Sequence, residues 1–293
     1  MSIKFSGLID SFLKMIGMKY ILIWSCLQLF SFIPQLTYGQ AAELTGTKRF
    51  EIYSNTVQDS FTISIYIPPG QAPELLPVLY VFDADMLFAM VYDIVRWLQW
   101  GKKIPPVALV GIGYGKDQNT WWNKRSRDFT AMPDSSEVWG RWPLAGGSAN
   151  FIKFLSKELK PHLSPNYGLS ATQHIFLGIS FGGLLGAHIL FTQPELFDKY
   201  ILLGPALKWN HADIFNLYRH YTPNQSALKA QVFTAVGALD SPHILEPWKQ
   251  FVEVLSSWSH AGLTLDSWLI PGEDHFSMLP VALPRSLQAV LKK

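Results

Sequence analysis

Residues 174–183 have the sequence His-Ile-Phe-Leu-Gly-Ile-Ser-Phe-Gly-Gly, in which an apolar run leads into a turn of small residues. Gly178, Ser180 and Gly182 form the pattern G-x-S-x-G, which is typical of a sharp strand-to-helix turn because a Cβ at either glycine would crowd it. Apolar residues follow the turn at helical spacing, beginning with Leu184. The stretch therefore predicts a strand, a serine in strained backbone geometry, and a helix.

A serine presented in this way is a candidate nucleophile. Its hydroxyl would be exposed at the turn, and the backbone N–H of Phe181 would lie at the N-terminus of the following helix. The helix dipole favours a negative charge at that position. The Phe181 N–H is therefore a candidate donor of an oxyanion hole.

The N-terminal 39 residues predict a secretory signal peptide. Residues 20–36 are almost entirely apolar, Lys14 and Lys19 precede them, and the small residue Gly39 marks a cleavage site. Met18 is an alternative start. A membrane anchor is the alternative interpretation, but Pro34 and the short apolar run are unfavourable for a span of about 20 residues. We therefore expect a secreted or periplasmic protein.

Composition predicts one globular domain over residues 40–293. The chain has 293 residues, of which 48% are hydrophobic and 16% charged, so it can bury a sizeable core. The leader contains three of the 24 basic residues and one of the 22 acidic residues, which leaves 21 of each. A neutral domain gives no reason to expect a nucleic-acid partner. The single cysteine, Cys26, lies in the leader, so the domain would contain no disulfide bond.

The order of apolar runs predicts an α/β fold. Residues 48–53 and 61–67 are predicted as strands, and alternation in the second indicates one solvent-exposed face, as in an antiparallel pair at a sheet edge. Buried strands are predicted over 78–82 and 107–113, with a helix over 88–100 between them. Later strands are predicted over 199–203, 231–236 and 264–270, and helices over 212–220, 246–261 and 284–291. We expect a mostly parallel central sheet with antiparallel N-terminal edge strands and helices on both faces.

Two later strands supply partners for Ser180. A serine hydroxyl needs a neighbouring base, itself oriented by an acid, and such groups gather at the carboxyl ends of parallel strands. Asp240 follows strand 231–236, and His275 follows strand 264–270 in a loop that contains glycine. The order Ser180, Asp240, His275 is that of α/β-hydrolases. Three other carboxylates remain possible as the acid: Glu246, Asp266 and Asp274.

Residues 114–147 are predicted as a long irregular segment, which in a compact domain is usually functional. Because it follows strand 107–113, it would emerge at the same edge of the sheet as Ser180. Its candidate substrate-binding residues are aromatic or basic: Trp121, Trp122, Trp139, Arg141 and Trp142. Aromatic faces bury large flat groups and arginine binds carboxylates. A place in the hydrophobic core is the alternative for the tryptophans.

Five segments together resemble the Putative esterase family of α/β-hydrolases, which includes esterase D and enterochelin-type siderophore esterases. They are residues 78–85, 125–130, 178–183, 236–240 and 272–275. The resemblance covers nearly all of the chain after about residue 45. It implies a second oxyanion donor, the backbone N–H of Asp85, although Ala84 stands where members of the family usually have glycine. Arg127 and Asp128 are interpreted as a structural ion pair.

The sequence therefore predicts a serine esterase that cleaves a small-molecule ester through an acyl-enzyme, with no metal ion and no cofactor. Resemblance to siderophore esterases favours siderophore-type or aromatic esters. A serine peptidase or acyltransferase on the same fold is one alternative, and a non-catalytic binding module is another. The oligomeric state and the identity of the ester are not determined by the sequence.

Overall fold

A computed structural model describes residues 14–17, 43–115, 118–136, 138–170, 173–221, 227–257 and 261–292. The chain forms two compact units, Met1–Glu43 and Leu44–Lys293. In the first unit, residues 14–17 form a helical turn. The rest of the predicted leader, 1–39, lies outside the described residues. Among the residues that the structure describes, no helix has both the length and the apolar character needed to cross a membrane.

The second unit contains one sheet of eight strands in the order β1-β2-β4-β3-β5-β6-β7-β8. The strands are β1 (Thr47–Ser54), β2 (Asp59–Tyr66), β3 (Val78–Phe82), β4 (Ala108–Gly113), β5 (His174–Ile179), β6 (Lys199–Leu203), β7 (Ala227–Gly237) and β8 (Ala261–Ile270). β1 pairs with β2, and β2 with β4, in antiparallel fashion, and all other neighbours are parallel. The predicted α/β fold, with its antiparallel N-terminal edge, is confirmed.

Helices cover both faces of this sheet. They are α1 (Ala84–Trp100), α2 (Gln118–Phe129), α3 (Ser148–Lys153), α4 (Lys160–Tyr167), α5 (Phe181–Thr192), α6 (Ile214–Tyr221), α7 (Pro242–Ser256) and α8 (Met278–Leu291). A π-helical segment, Phe154–Leu159, joins α3 to α4. Apolar residues of α1 and α8 form a core on one face, and those of α3, α5 and α7 form a second core on the other.

Two features differ from the sequence expectations. The segment 114–147 is not irregular throughout, because it contains helix α2. In addition, β2 is buried on both faces except for its half-exposed residues Asp59, Ser60 and Ser64. β2 is the inner strand of the antiparallel edge pair and lies between β1 and β4, and Tyr66 packs edge-on against Tyr92 of α1 at 5.0 Å. The edge position belongs to β1, where exposed and partly buried residues alternate over much of the strand.

A half-buried lysine lies near the amino ends of β3 and β6, opposite the carboxyl ends where Ser180 stands. Lys160 Nζ donates to the carbonyl of Leu196 and lies 4.4 Å from the ring centroid of Phe197. Burial lowers the pKa of Lys160 to about 7, and the charge of Asp198 offsets this only partly. The protonated amine is therefore costly in the folded state.

We expect Lys160→Met to increase stability most at low pH. Between pH 7 and the ordinary lysine pKa of 10.5, the unfolded chain binds more protons at this position than the folded chain, so wild-type stability rises with pH across this window. Methionine removes that dependence. Urea denaturation at pH 6.5, 8.0 and 9.5 should show the variant's advantage in unfolding free energy narrowing as pH rises. The exposed Lys153→Met serves as control, and a pH-independent difference for Lys160→Met would contradict the interpretation.

Candidate active site

Ser180 lies between β5 and α5 with φ 57° and ψ −114°, a conformation that is strained for a residue with a side chain. Backbone hydrogen bonds hold it there. Its N–H donates to the carbonyl of Leu203 at 3.0 Å, and its carbonyl accepts from the N–H of Ala206 at 3.0 Å. The end of β6 and the residues that follow it therefore fix the serine at the carboxyl edge of the sheet.

The two glycines of the G-x-S-x-G pattern have different roles. A Cβ on Gly178 would lie 2.3 Å from the carbonyl oxygen of Gly182, so no side chain fits there. A Cβ on Gly182 would have its nearest neighbours at 3.8 Å or more, which is ordinary van der Waals contact. The expectation that crowding requires glycine at both positions is therefore wrong for Gly182. Further along α5, a Cβ on Gly183 would lie 2.9 Å from Pro205.

The loops after β7 and β8 bring His275 and Asp240 together. His275 Nδ1 donates to Asp240 Oδ2 at 2.8 Å, and the side chains are 23% and 3% exposed, respectively. The N–H of Leu239 donates to the carbonyl of Glu273 at 2.9 Å, which joins the two loops. A Cβ on Gly237 would lie 2.2 Å from that same carbonyl oxygen, so glycine permits this close approach.

The imidazole of His275 packs over Gly204, the residue after β6. A Cβ on Gly204 would lie 3.1 Å from both Nδ1 and Cε1 of the ring, and Gly204 itself has φ 50°. Gly204 directly follows Leu203, whose carbonyl accepts the hydrogen bond from Ser180. The carboxyl ends of neighbouring strands thus collect Ser180, His275 and Asp240 at one edge.

The other candidate acids have different surroundings. Glu246 lies on α7 with its side chain 63% exposed, and it pairs with Lys249 at 2.9 Å. Asp274 accepts hydrogen bonds from the backbone of Ser277 and Phe276, which lower the pKa of its carboxyl group. Asp266 stands within β8, where it pairs with Phe233 of β7. Of these carboxylates, Asp240 is the one hydrogen-bonded to His275.

Asp85 lies in the first turn of α1, at the carboxyl end of β3. Amides of a first turn have no intrahelical acceptor. The residue as a whole is exposed although its side chain is only 16% exposed, so most of its accessible surface is backbone. Its carboxylate accepts from the N–H groups of Tyr114 and Gly115, and burial raises its pKa. The side chain thus holds the start of segment 114–147 against α1.

Ala84 fits its position because the neighbouring strand carries a glycine. A Cβ on Gly111 of β4 would lie only 2.8 Å from the methyl carbon of Ala84. Glycine at 111 leaves the room that the alanine methyl occupies. Ala84 is therefore accommodated at this contact without a steric clash.

The four predicted tryptophans form two groups, and one group lies beside the ring of Phe181. Trp139 and Trp142 are partly buried, and their ring centroids lie 6.0 and 5.8 Å from that of Phe181. Trp121 is buried in the core, while Trp122 is 50% exposed and packs edge-on against it at 4.4 Å. Trp139 and Trp142 are thus adjacent to the residue that follows Ser180.

Arg141, between those two tryptophans in sequence, is exposed. Arg127 and Asp128 form the expected ion pair, at 2.7 Å, and Arg127 also contacts Asp59 of β2 at 2.9 Å. Desolvation by burial raises the pKa of Asp128, although its contact with Arg127 opposes that shift. The contact between Arg127 and Asp59 joins α2 to the sheet.

Sequence reasoning missed two neighbours of Phe181. Trp209 packs edge-on against its ring at 5.0 Å, and Arg125 lies over the ring at 5.1 Å. Trp209 could have been found, because it follows β6 at the same carboxyl edge as Ser180. Arg125 and its partner Asp83 belong to two of the segments that carry the family resemblance, but no local pattern brings together residues that are 42 positions apart.

No group of three or more His, Cys, Asp or Glu side chains is arranged to hold a metal ion in the part of the chain that the structure describes. The groups that the structure brings to this edge are the Ser180 turn, the imidazole of His275 and the carboxylate of Asp240. This set of groups supports nucleophilic acyl chemistry.

Comparison with known proteins gives consistent matches. A family model described as Putative esterase matches residues 54–269. The ferri-bacillibactin esterase BesA of Bacillus subtilis (strain 168) is 28% identical over 268 residues, which is 86% of this chain and 92% of the relative. A siderophore triacetylfusarinine C esterase of Aspergillus fumigatus is 25% identical, covering 65% of this chain and 61% of the relative. The crystal structure of the BES protein from Bacillus cereus has a TM-score of 0.79 and 26% identity, covering 87% of this chain and 99% of that one.

We expect Gly178→Ala and Gly182→Ala to differ sharply in stability. The first places a methyl group against a backbone carbonyl and should lower the free energy of unfolding by about 3 kcal/mol or prevent folding. The second adds an uncrowded methyl to the first turn of α5 and should change it by less than about 1 kcal/mol. Urea denaturation of both variants is the measurement, and equal destabilisation would show that the turn crowds both positions.

Proposed function

Because the chain belongs to the Putative esterase family and is an ester-hydrolysing enzyme, we propose that it cleaves siderophore-type esters through a Ser180–His275–Asp240 triad. One relative described above is named as a ferri-bacillibactin esterase, and the other as a siderophore triacetylfusarinine C esterase. The family excludes the alternative of a non-catalytic binding module. A serine peptidase or an acyltransferase, which passes the acyl group to an acceptor other than water, remains the alternative on this fold.

The proposed reaction begins with attack of Ser180 Oγ on the ester carbonyl carbon, while His275 takes the hydroxyl proton. Asp240 accepts the Nδ1–H hydrogen bond, which holds the ring in one orientation and stabilises the imidazolium. The carbonyl oxygen becomes negatively charged and is bound by the N–H groups of Phe181 and Asp85. Collapse of this intermediate breaks the ester C–O bond, and His275 returns the proton to the departing alcohol.

The acyl group then remains on Ser180 as an ester. Water attacks its carbonyl carbon while His275 again accepts a proton, and collapse of the second intermediate releases the acid and restores the serine hydroxyl. Each proton that the imidazole accepts is returned within the same half-reaction. The cycle therefore needs no redox partner and no added acid.

The observation that carries this proposal is the hydrogen bond between His275 and Asp240 beside Gly204, at the edge where Ser180 is held in its strained turn. Three separate loops contribute to it. A structural histidine would need no buried carboxylate at the carboxyl edge of the sheet, next to a serine with positive φ. The arrangement supports the role of a base for Ser180.

The aromatic surroundings of Phe181 support a bulky or aromatic ester. Trp139 and Trp142 pack against the ring of Phe181, the residue whose backbone N–H would bind the oxyanion. Arg141, which lies between these tryptophans in the sequence, is exposed and supplies a positive charge. We propose that these residues, together with Trp122, form the substrate-binding wall, and that Trp121 supports it from the core.

We also propose that residues 1–39 direct export and are removed, so that the enzyme works as a secreted or periplasmic domain of residues 40–293. The positively charged start, apolar stretch and small residues before Gln40 support this proposal. N-terminal sequencing of the protein from a secreting host should find Gln40 at or near the start. Residues before Tyr20 on the exported protein would refute cleavage.

Ser180→Ala should lower kcat on the order of 10⁴-fold with the fold intact, because no other group can form the acyl-enzyme. Asp240→Asn should also lower kcat strongly, whereas Glu246→Gln should leave it near wild type because that side chain lies on the surface. Labelling by a fluorophosphonate should follow the same order. Wild-type hydrolysis by Ser180→Ala would refute the triad, and the reverse order for the two acids would reassign its third member.

Esters with a bulky aromatic group should be preferred to acetate. We expect kcat/KM to be higher for a feruloyl ester and a catecholate trilactone than for p-nitrophenyl acetate. Trp142→Ala should lower it about fivefold for the two aromatic substrates, which corresponds to the roughly 1 kcal/mol of one ring contact. Trp97→Ala, an exposed tryptophan on α1, is the matched control. If kcat/KM is highest for p-nitrophenyl acetate and Trp142→Ala changes kcat/KM for none of the three substrates, the tryptophans are structural.

A further inference from the structure

We propose that Arg125 and Asp83 form a positioning pair that holds the two candidate oxyanion donors, Phe181 and Asp85, in their relative places. The inference rests on the proposed function and adds a role for two side chains that would not touch substrate. The pair lies at the carboxyl edge of the sheet, next to the N-termini of α1 and α5. Its geometry is that of a fork: Nε and Nη2 of Arg125 donate to Oδ1 and Oδ2 of Asp83 at 2.9 and 2.8 Å.

Asp83 sets the start of α1. It is the residue before the helix and has φ 54° and ψ 40°, in the left-handed region. Its carbonyl accepts hydrogen bonds from the N–H groups of Met86 and Leu87, at 3.0 and 3.1 Å. The N–H of Asp85 lies between these anchored groups, so its direction depends on the strained conformation of Asp83. A non-glycine residue keeps such a conformation only when its surroundings impose it.

The same carboxylate also reaches the start of α5. A Cβ placed on Gly182 would lie 3.8 Å from Asp83 Oδ2, so the carboxylate stands next to the first turn of the helix that begins at Phe181. Asp83 therefore lies between the two helix N-termini whose amides would bind the oxyanion. Movement of this one side chain would affect both donors.

Arg125 fixes the carboxylate from the other side. Its guanidinium carbon lies 5.1 Å from the ring centroid of Phe181 and 4.9 Å from that of Trp121, within the range of cation–π contacts. The side chains of Arg125 and Asp83 are each only 5% exposed. The guanidinium is thus held between the ring of one donor residue and the carboxylate beside the other donor.

The charge of the pair matters as much as its shape. A buried carboxylate without a partner is costly and would repel the negative charge that develops on the ester oxygen. Arg125 neutralises Asp83 beside the two helix N-termini. A pair with this function should influence the transition state more than the binding of substrate, because the oxygen becomes fully charged only during the reaction.

The test compares Arg125→Gln with Arg127→Gln, which removes the other Arg–Asp pair of the same helix. Arg127 faces Asp128 and Asp59. We expect Arg125→Gln to lower kcat on the order of 10²-fold, as loss of an oxyanion donor does, with KM changed less than about threefold. Affinity for phenylboronic acid, which forms a tetrahedral adduct on the serine, should fall in parallel. Arg127→Gln should keep kcat within about threefold of wild type.

Two conservative variants separate positioning from folding. Arg125→Lys keeps the charge and should recover part of kcat relative to Arg125→Gln. Asparagine at position 83 tolerates the left-handed backbone. Asp83→Asn leaves the charged guanidinium of Arg125, rather than a carboxylate, near the oxyanion, so kcat should fall less than in Arg125→Gln. Near-ultraviolet circular dichroism checks that each variant is folded. If Arg125→Gln does not fold, these two variants alone decide, and wild-type kcat in both overturns the proposal.

Ser180→Ala, measured in parallel, distinguishes failure of the pair from failure of the proposed function. Activity in Ser180→Ala would mean that the triad is wrong. An inactive Ser180→Ala together with wild-type kcat and boronate affinity in Arg125→Gln would overturn the positioning pair and leave the triad intact. An equal loss of kcat in Arg127→Gln would likewise overturn it, because the effect would then belong to any buried ion pair of α2.

Discussion

The close approach of the Gly178 backbone to the carbonyl of Gly182 is the contact on which the site depends. With 2.3 Å between that oxygen and the position of an absent Cβ, the chain can turn from β5 into α5 within a single residue. That residue, Ser180, then has a positive φ, and its N–H and carbonyl bond to β6 and the loop after it. Strain at the serine is balanced by hydrogen bonds from a neighbouring strand, so the geometry of the turn and the pairing of the sheet support each other.

The order of the strands determines which loops can meet the serine. β5, β6, β7 and β8 are consecutive parallel neighbours, so their carboxyl ends lie side by side. Gly204, Asp240 and His275 follow β6, β7 and β8 in turn. Glycine at 204 and 237 removes the side chains that would keep the loops apart. The imidazole thus reaches back across two strands toward Ser180 because two intervening positions have no Cβ.

Local sequence patterns predicted much of this arrangement but not all of it. Strand positions, the strained turn and the candidates Asp240 and His275 follow from apolar periodicity and from the rule that functional groups gather at the carboxyl ends of parallel strands. The burial of β2 and the helix within 114–147 depend on which elements become neighbours, which no local pattern records. The spare room at Gly182 is a similar case, because it is measured against Asp83 and Phe129, which are distant in sequence.

Helix α2 carries two arginines, one buried and one partly buried, that pair with aspartates, and their positions indicate why ions rather than apolar residues occupy this layer. Buried ion pairs contribute little net stability compared with well-packed apolar groups, but they constrain direction. Arg127, through Asp128 and Asp59, joins the helix to β2. Arg125, through Asp83, joins the same helix to the start of α1 and to the ring of Phe181. The helix is therefore fixed at two points, one on the sheet and one on the site. The ring of Phe181, which Arg125 contacts, is also the ring against which Trp139 and Trp142 pack, so α2 and the two tryptophans meet at the residue that follows Ser180.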